Sequence, residues 1–411
     1  MSLGMRLPQE LQARAQDLAS KQSYVPVILP VDFCNGLAQL RSHGRHRRRS
    51  IGVSSNPRDV ALRSRFCVPW IVDEDWQTSE QFLESLLDLG RILQGKGFLS
   101  VSSEQFVEMG ACFQDQLGQV FTVPVDFEVI RSLSNKEVQA KKATEAGLSV
   151  PTTVSVERHG HVDQADLRRL TFPVFVRARD ESKRFYAEQG LQGVVVKSPQ
   201  ELTSVIERFF DYSLLVQEFI SDLGVKSFCV SGIVLQDGRV ITYTYSVVRN
   251  VRRFGSSSMG KSQPPSHVDL AVKKFLDLTD YVGPFDILFL RPEGTETSFF
   301  IEMNMRFWKS HGLAQKCGLD LPILQVQDSL GEPLEVSANL DYQVGVRWWL
   351  IFTDLVICWR QWRAGQLTWN EFRGSIGFPF VSGIGSWDDP LPEIYNFLRL
   401  RWLLPVSSRK G

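Results

Sequence analysis

The stretch GPFDILFLRPEGTETSFFIEMNMRFW (283–308) constrains this chain more than any other. It reads as two apolar strands flanking a Pro-Glu-Gly turn, with Asp286 in the first strand and Glu302 and Asn304 in the second. Glu302 and Asn304 are two apart and share one strand face, and Arg306 extends that face. Antiparallel pairing of the two strands is expected to bring Asp286 to Glu302. Both acids are embedded in apolar runs, where an ionised carboxylate is costly unless a cation compensates it. Magnesium takes one or two carboxylates together with phosphate oxygens, and arginine clasps anions bidentately. A solvated hairpin edge would carry Lys, Ser or Thr along that stripe. This one carries only metal-type and anion-type groups, so the pattern points to a metal–phosphate site.

A chain of 411 residues is too long for one ordinary core, so two or three packed domains are expected. A formal net charge of zero argues against nucleic acid held by overall charge. The one dense basic run, RHRRR (45–49), lacks aromatic interleaving and reads as a solvated loop, so no nucleic-acid partner is expected. Six cysteines are scattered singly with no CxxC, and the polar start lacks a secretory h-region. Both features favour a cytoplasmic location. The most apolar run, Trp348 to Trp359, is short, contains Asp354 and is flanked by Arg347 and Arg360. It reads as a buried helix, and no membrane association is expected.

Four regions separate by pattern. Residues 1–23 read as an N-terminal helix and tail. Residues 24–125 alternate apolar strands (25–31, 50–55, 66–72, 97–103) with helical patterns (35–44, 79–94), which implies a parallel sheet covered on both faces. No GxGxxG follows VPVILPV (25–31), so a dinucleotide-dependent dehydrogenase is disfavoured. Residues 126–335 mix a helix over 134–147, with Ser134 as cap and Gly147 as stop, strands over 172–178, 193–197 and 213–220, and a helix over 198–210 opened by Ser198, Pro199 and Glu201. Two further strands over 226–248 join at Asp237-Gly238, a hairpin signal. Residues 336–411 read as a helical extension.

The hairpin over 283–308 resembles the metal-binding strands of ATP-grasp enzymes, and IEMNMR (301–306) is close to their Glu-x-Asn-x-Arg signature. The similarity runs over roughly 24–340 and is closest to the carboxylate–amine ligases and predicted carboligases. Their N-terminal form is similar to PVILPVDFCNGLAQLRSHG (26–44) followed by RSRF (63–66), and their tail is similar to the Trp-Asp-Asp-Pro stretch at 387–390. The resemblance implies a mixed α/β and α+β architecture. This is an ATP-grasp domain preceded by a Rossmann-like βαβ domain and followed by a helical extension.

It also implies ATP and magnesium, with two ions. By the resemblance, Asp286 and Glu302 bridge metal to the phosphates, Asn304 completes the second metal, and Arg306 steadies the transferred phosphoryl or acyl-phosphate. Lys136 matches the lysine that reaches for phosphate. Arg177 stands on the strand where the family carries a phosphate-binding lysine. The segment 179–192 stands where a glycine-rich flap closes on ATP; here it is poor in glycine, and Lys183 or Arg184 would substitute. VQEFI (216–220) matches the strand that lines adenine, with Gln217 and Ile220 supplying backbone contacts, Glu218 beside them and Asp222 next to the ribose. In ligases of this type basic residues such as Arg249, Arg252 and Arg253 can meet substrate, a solvated loop being the alternative, and Lys309 and His311 can face the acceptor, a structural histidine being the alternative for His311. The implied activity forms an acyl-phosphate from a small carboxylate and condenses it with an amine, an amino acid being expected, in a possible homodimer. Two alternatives remain: phosphoryl transfer without an amine acceptor, and a nucleotide-binding regulatory protein that has lost activity. The arginine at 177 and the altered flap motivate the second.

Overall fold

The structure, a computed structural model, describes residues 7–160, 167–179, 182–191, 193–220, 224–251, 256–334 and 341–403. Its contacts divide the chain into two compact units. One comprises 1–142, 228–288 and 302–411; the other comprises 143–227 and 289–301. The segment 126–335, expected as one domain, is therefore shared between the two units.

The larger unit opens with five parallel strands: β1 (Val25–Leu29), β2 (Ser50–Ser54), β3 (Cys67–Ile71), β4 (Gly97–Val101) and β5 (Phe121–Thr122), in the order β3-β2-β1-β4-β5. Every residue of β1 and β2 is buried, as continuous apolar strands covered on both faces must be. The order reverses between β1 and β4, which opens a crevice at their carboxyl ends. The helix Phe33–Arg45 follows β1 directly. Gly36 lets it approach, because a Cβ there would stand 2.2 Å from the Val31 backbone.

In the smaller unit, β6 (Thr153–Val156), β7 (Val174–Ala178), β8 (Val194–Val196) and β9 (Leu214–Glu218) form an antiparallel sheet in the order β6-β9-β7-β8. Its core gathers Val176, Phe185, Phe209 and Tyr212. The helix Pro199–Arg208 starts as its sequence signature requires, with Ser198 Oγ accepting from the Glu201 amide and Pro199 in the first turn.

A seven-stranded sheet contains β10 (Val225–Val234), β11 (Val240–Asn250), β12 (Ser257–Gln263), β13 (Gly283–Pro292), β14 (Phe299–Asn304), β15 (Arg347–Trp349) and β16 (Phe380–Ser382), in the order β14-β13-β10-β11-β12-β15-β16. The Asp237-Gly238 turn joins β10 to β11 with Gly238 at φ 82°, as the sequence predicts. The core of the larger unit joins Leu37 and Leu40 to Tyr243, Trp308, Leu313 and Trp348.

Among the described residues of 336–411 stand the helices Ile351–Arg363, Trp369–Ser375 and Leu391–Leu403, and β15 and β16 join the seven-stranded sheet; each of these strands has three residues, too few to show a period. One expectation about this region needs correction: the apolar run at 348–359 is not a buried helix. The helix Ile351–Arg363 turns only Asp354 and Cys358 fully inward, while Leu355, Val356, Trp359 and Trp362 are exposed. Its amphipathicity is inverted, so the lone acid that interrupts the run is the residue that docks it.

The Trp-Asp-Asp-Pro stretch closes the larger unit. Asp389, fully buried, accepts from Arg41 Nε at 3.0 Å, Ser64 Oγ at 2.8 Å and the Arg65 amide at 3.0 Å. Arg41 also donates to the carbonyls of Ile384 and Asp389, and Arg45 grips Asp388 through two nitrogens. Three separated stretches that the sequence singled out, 26–44, 63–66 and 387–390, thus meet in one hydrogen-bond network. Among the described residues no helix is long and apolar enough to cross a membrane.

Candidate active site at the carboxyl ends of the parallel strands

The helix Lys136–Glu145 begins one residue later than Ser134 suggests. Ser134 ends the preceding helix, and its hydroxyl donates to the Ile130 carbonyl, while Asn135 Oδ1 accepts the Glu137 amide as the cap. Lys136 in the first turn donates to Glu302 Oε2 on β14 at 2.9 Å. One turn on, Gln139 is buried and holds the same strand. Its Nε2 donates to the Met303 carbonyl at 3.0 Å and to the Leu133 carbonyl at 2.8 Å, while its Oε1 accepts the Met303 amide at 2.8 Å. β14 is an edge strand, and the Gln139 amide pairs with Met303 as a neighbouring strand would. Met303 separates Glu302 from Asn304, so Gln139 fixes the strand at the centre of the candidate metal stripe. Sequence reasoning missed Gln139. Its signal was a polar residue three positions after Lys136, on the same helix face.

Lys136, Glu302, Asn304 and Arg306 line a cleft of about 310 Å³ together with Ser102, Ser103 and Glu104 from the end of β4. The cleft therefore lies at the carboxyl end of β4. Arg306 donates through Nε and Nη2 to Glu104 Oε1 at 3.2 and 3.1 Å. Glu104 is a second residue that sequence reasoning missed. Both ion pairs are part-exposed, and such pairs contribute about 1 kcal/mol or less. An incoming phosphate or carboxylate can therefore exchange for either acid.

Asp286 does not line this cleft. It is buried in β13, where its Oδ1 accepts from Ser231 Oγ at 2.6 Å and Tyr245 Oη at 3.1 Å. Burial pushes its carboxyl up to about 6, although those hydrogen bonds pull the other way. Among the described residues no cation stands within ion-pair distance of it, and no three His, Cys, Asp or Glu side chains cluster as metal ligands. A buried carboxylate without a cation fits a magnesium site completed by phosphate oxygens better than a self-sufficient protein cage. Of the expected metal residues, Glu302 and Asn304 line the cleft and offer only oxygen donors, as a hard cation requires, whereas Asp286 is not among its lining residues.

Neither a family model nor a curated relative matches the sequence. Solved structures do match it. The biotin carboxylase domain of Hydrogenobacter thermophilus 2-oxoglutarate carboxylase, seen with MgADP and bicarbonate, superposes with a TM-score of 0.60 at 16% identity over 77% of this chain and 72% of that one. Campylobacter jejuni biotin carboxylase gives 0.59 at 15% over 80% and 75%. N5-carboxyaminoimidazole ribonucleotide synthetase from Thermus thermophilus gives 0.57 at 15% over 75% and 79%. This chain has the ATP-grasp fold.

Within the ATP-grasp fold the remaining expected residues divide. Arg177 lies half-buried in β7, and Gln217 and Glu218 end β9, with Ile220 two residues beyond Glu218; all belong to the smaller unit. Gln217 Nε2 donates to Thr153 Oγ1 at 3.0 Å. The expected flap is not an extended loop. Ser182–Gln189 is a helix anchored by the buried Phe185, and Arg184 pairs with Glu188 inside it. Side chains suited to a helix occupy the place of glycines. Asp222, Arg252, Arg253 and the side chain of Lys183 lie outside the described residues.

Two of the expected substrate residues are committed elsewhere. Arg249 is buried and holds the buried Asp354 through Nη2 at 2.6 Å and Nε at 2.9 Å, so it does not face substrate. His311 is 2% exposed, with its Nδ1 bonded to the Trp308 carbonyl, and burial lowers its pKa to about 4. It is a neutral core histidine and not an acceptor-facing one. Lys309 is half-buried, with a pKa lowered by burial, and donates to Ser256 Oγ at 3.1 Å and the Ser257 carbonyl at 3.2 Å.

Proposed function

We propose that this protein is an ATP-dependent, ADP-forming carboxylate–amine ligase. The observation that supports it most is the docking of the Lys136 helix on β14: one short helix aims a lysine at Glu302 and clamps the strand carrying Glu302 and Asn304. In this reading Lys136 and Arg177 hold the phosphates, and the β9 segment from Gln217 to Ile220 lines the adenine. Asp286, Glu302 and Asn304 hold magnesium, which supplies charge neutralisation at the β- and γ-phosphates. Arg306 leaves Glu104 and orients the substrate carboxylate. A carboxylate oxygen then attacks the γ-phosphorus, the bond to the bridging oxygen breaks, and ADP leaves. The amine attacks the acyl carbon, phosphate departs with the C–O electron pair, and the ammonium proton is lost to give the amide. The chain needs no covalent nucleophile. It needs fixed charges and exclusion of water from a hydrolysable acyl-phosphate. An amino acid as acceptor and a cytoplasmic location accompany this proposal.

The test is ADP and phosphate release by the purified chain with magnesium, pooled amino acids and small carboxylic acids. Turnover should require both an acid and an amine and fall about a thousandfold in Glu302→Gln. A phosphorylated product without condensation would select phosphoryl transfer instead. Bound ATP with no turnover from any pool would support the regulatory reading, which Arg177 and the helix in place of the flap favour.

A further inference from the structure

The helix Ile351–Arg363 presents an apolar and cationic face outward. Leu355, Val356, Trp359 and Trp362 are 41%, 41%, 53% and 61% exposed, and Arg360 and Arg363 are exposed among them. Arg363 lies over the Trp359 ring at 5.2 Å, and among the described residues neither arginine has a carboxylate partner. The helix Leu391–Leu403 adjoins it through Phe352 and Phe397, whose rings are 5.6 Å apart, and exposes Leu391, Ile394, Phe397 and Leu398. The acids of the two helices, Asp354 and Glu393, are turned inward.

We propose that this face rests on an anionic lipid bilayer. Isolated apolar side chains on a surface need no explanation, but so many on two adjoining helices do. Tryptophan and aliphatic side chains flanked by arginines, with the acids of these two helices turned inward, are complementary to an interface of apolar chains beneath negative headgroups. A second copy of the chain fits less well, because a two-fold contact would set the unpaired arginines of one copy against those of the other. A protein partner would need packed pockets for rings that stand clear of the surface, whereas a fluid bilayer accepts them without a matching shape. At 13 residues the helix is about 20 Å long, too short to span, so it lies on the membrane. The expectation of no membrane association rested on treating this segment as buried.

The experiment is co-sedimentation of the full chain with phosphatidylcholine vesicles, with and without phosphatidylglycerol. Binding to the anionic vesicles alone is expected, with displacement by salt. Arg360→Gln with Arg363→Gln should weaken it about thirtyfold. Trp359→Ser with Trp362→Ser should abolish it, and both variants should keep the wild-type melting temperature and light-scattering mass. No binding to anionic vesicles, or binding that survives the tryptophan changes, overturns the proposal. An oligomer that the tryptophan changes dissociate would assign the face to self-association. Binding to poly-glutamate in place of vesicles, with the same residue dependence, would assign it to an acidic protein.

Discussion

Asp286 and Asp354 are buried aspartates of the same unit, and the chain surrounds them in opposite ways. Asp354 receives the Arg249 guanidinium, the Trp349 indole at 2.8 Å and the Ser258 hydroxyl at 2.7 Å. Burial alone would raise its pKa, but these bonds outweigh burial and hold it below the usual carboxylate range. Asp286 receives hydroxyls and only the more distant field of Arg306, and burial wins. Where the fold supplies the counter-charge, the carboxylate is architecture. Where it supplies hydroxyls alone, the ionised carboxylate stays costly.

The largest expected effect comes from breaking the satisfied pair. Arg249→Met strands Asp354 in the interior and should cost about 3–5 kcal/mol in denaturant unfolding. A loss within error of zero would mean that water reaches Asp354.

Asp286→Asn should act in the opposite direction. The folded pKa near 6 lies above the unfolded value near 4, so the acid form's contribution to stability is complete below about pH 4 and is lost as pH rises through about 6. At pH 7 the ionised Asp286 then costs about 3 kcal/mol, which the asparagine avoids. The variant should melt higher than wild type at pH 7 and equal to it at pH 4, and magnesium-ATP should stabilise only the wild type. By the same sign, magnesium-dependent turnover should fall as pH drops below about 6. A variant that melts lower at pH 7 would show that Asp286 already has a cationic partner.

The smallest effect tests the link between architecture and site. Gln139→Leu leaves the Met303 amide and the Leu133 carbonyl unpaired and should cost about 1–3 kcal/mol. It should also raise the magnesium concentration needed for half-maximal ATP binding, because Glu302 and Asn304 flank Met303. Lost stability with unchanged magnesium dependence would reduce Gln139 to packing.

The sequence displayed what repeats locally and concealed what pairs at a distance. Polar residues at alternate positions in an apolar run placed Glu302 and Asn304 on one face, which lines the cleft, and Asp-Gly located the β10–β11 turn, because strand period and turn chemistry are local. The parallel pairing of β1 to β4 followed from alternation with helices, whereas the strand order and the two-residue β5 did not. Arg249 was misread as facing substrate because its partner lies 105 residues away. The helix Ile351–Arg363 was misread for the same reason: Asp354 looked like an interruption until Arg249 stood opposite it. The helix in place of the flap was legible in principle, since SKRFYAEQ contains no glycine or proline.

The clamp on Asp389 has a consequence for biosynthesis. Arg41 and Ser64 meet their partner 348 and 325 residues later, and β15 and β16 join the sheet at its far edge. Synthesis must therefore continue 325 to 348 residues beyond these side chains before the clamp can close. Until then the nascent N-terminal sheet waits with Arg41 unsatisfied and its closing loop among the longest the chain can form. The larger unit should resist expression as an N-terminal fragment, and removal of the Trp-Asp-Asp-Pro stretch should be felt at residues made minutes or seconds earlier, not at the trimmed end.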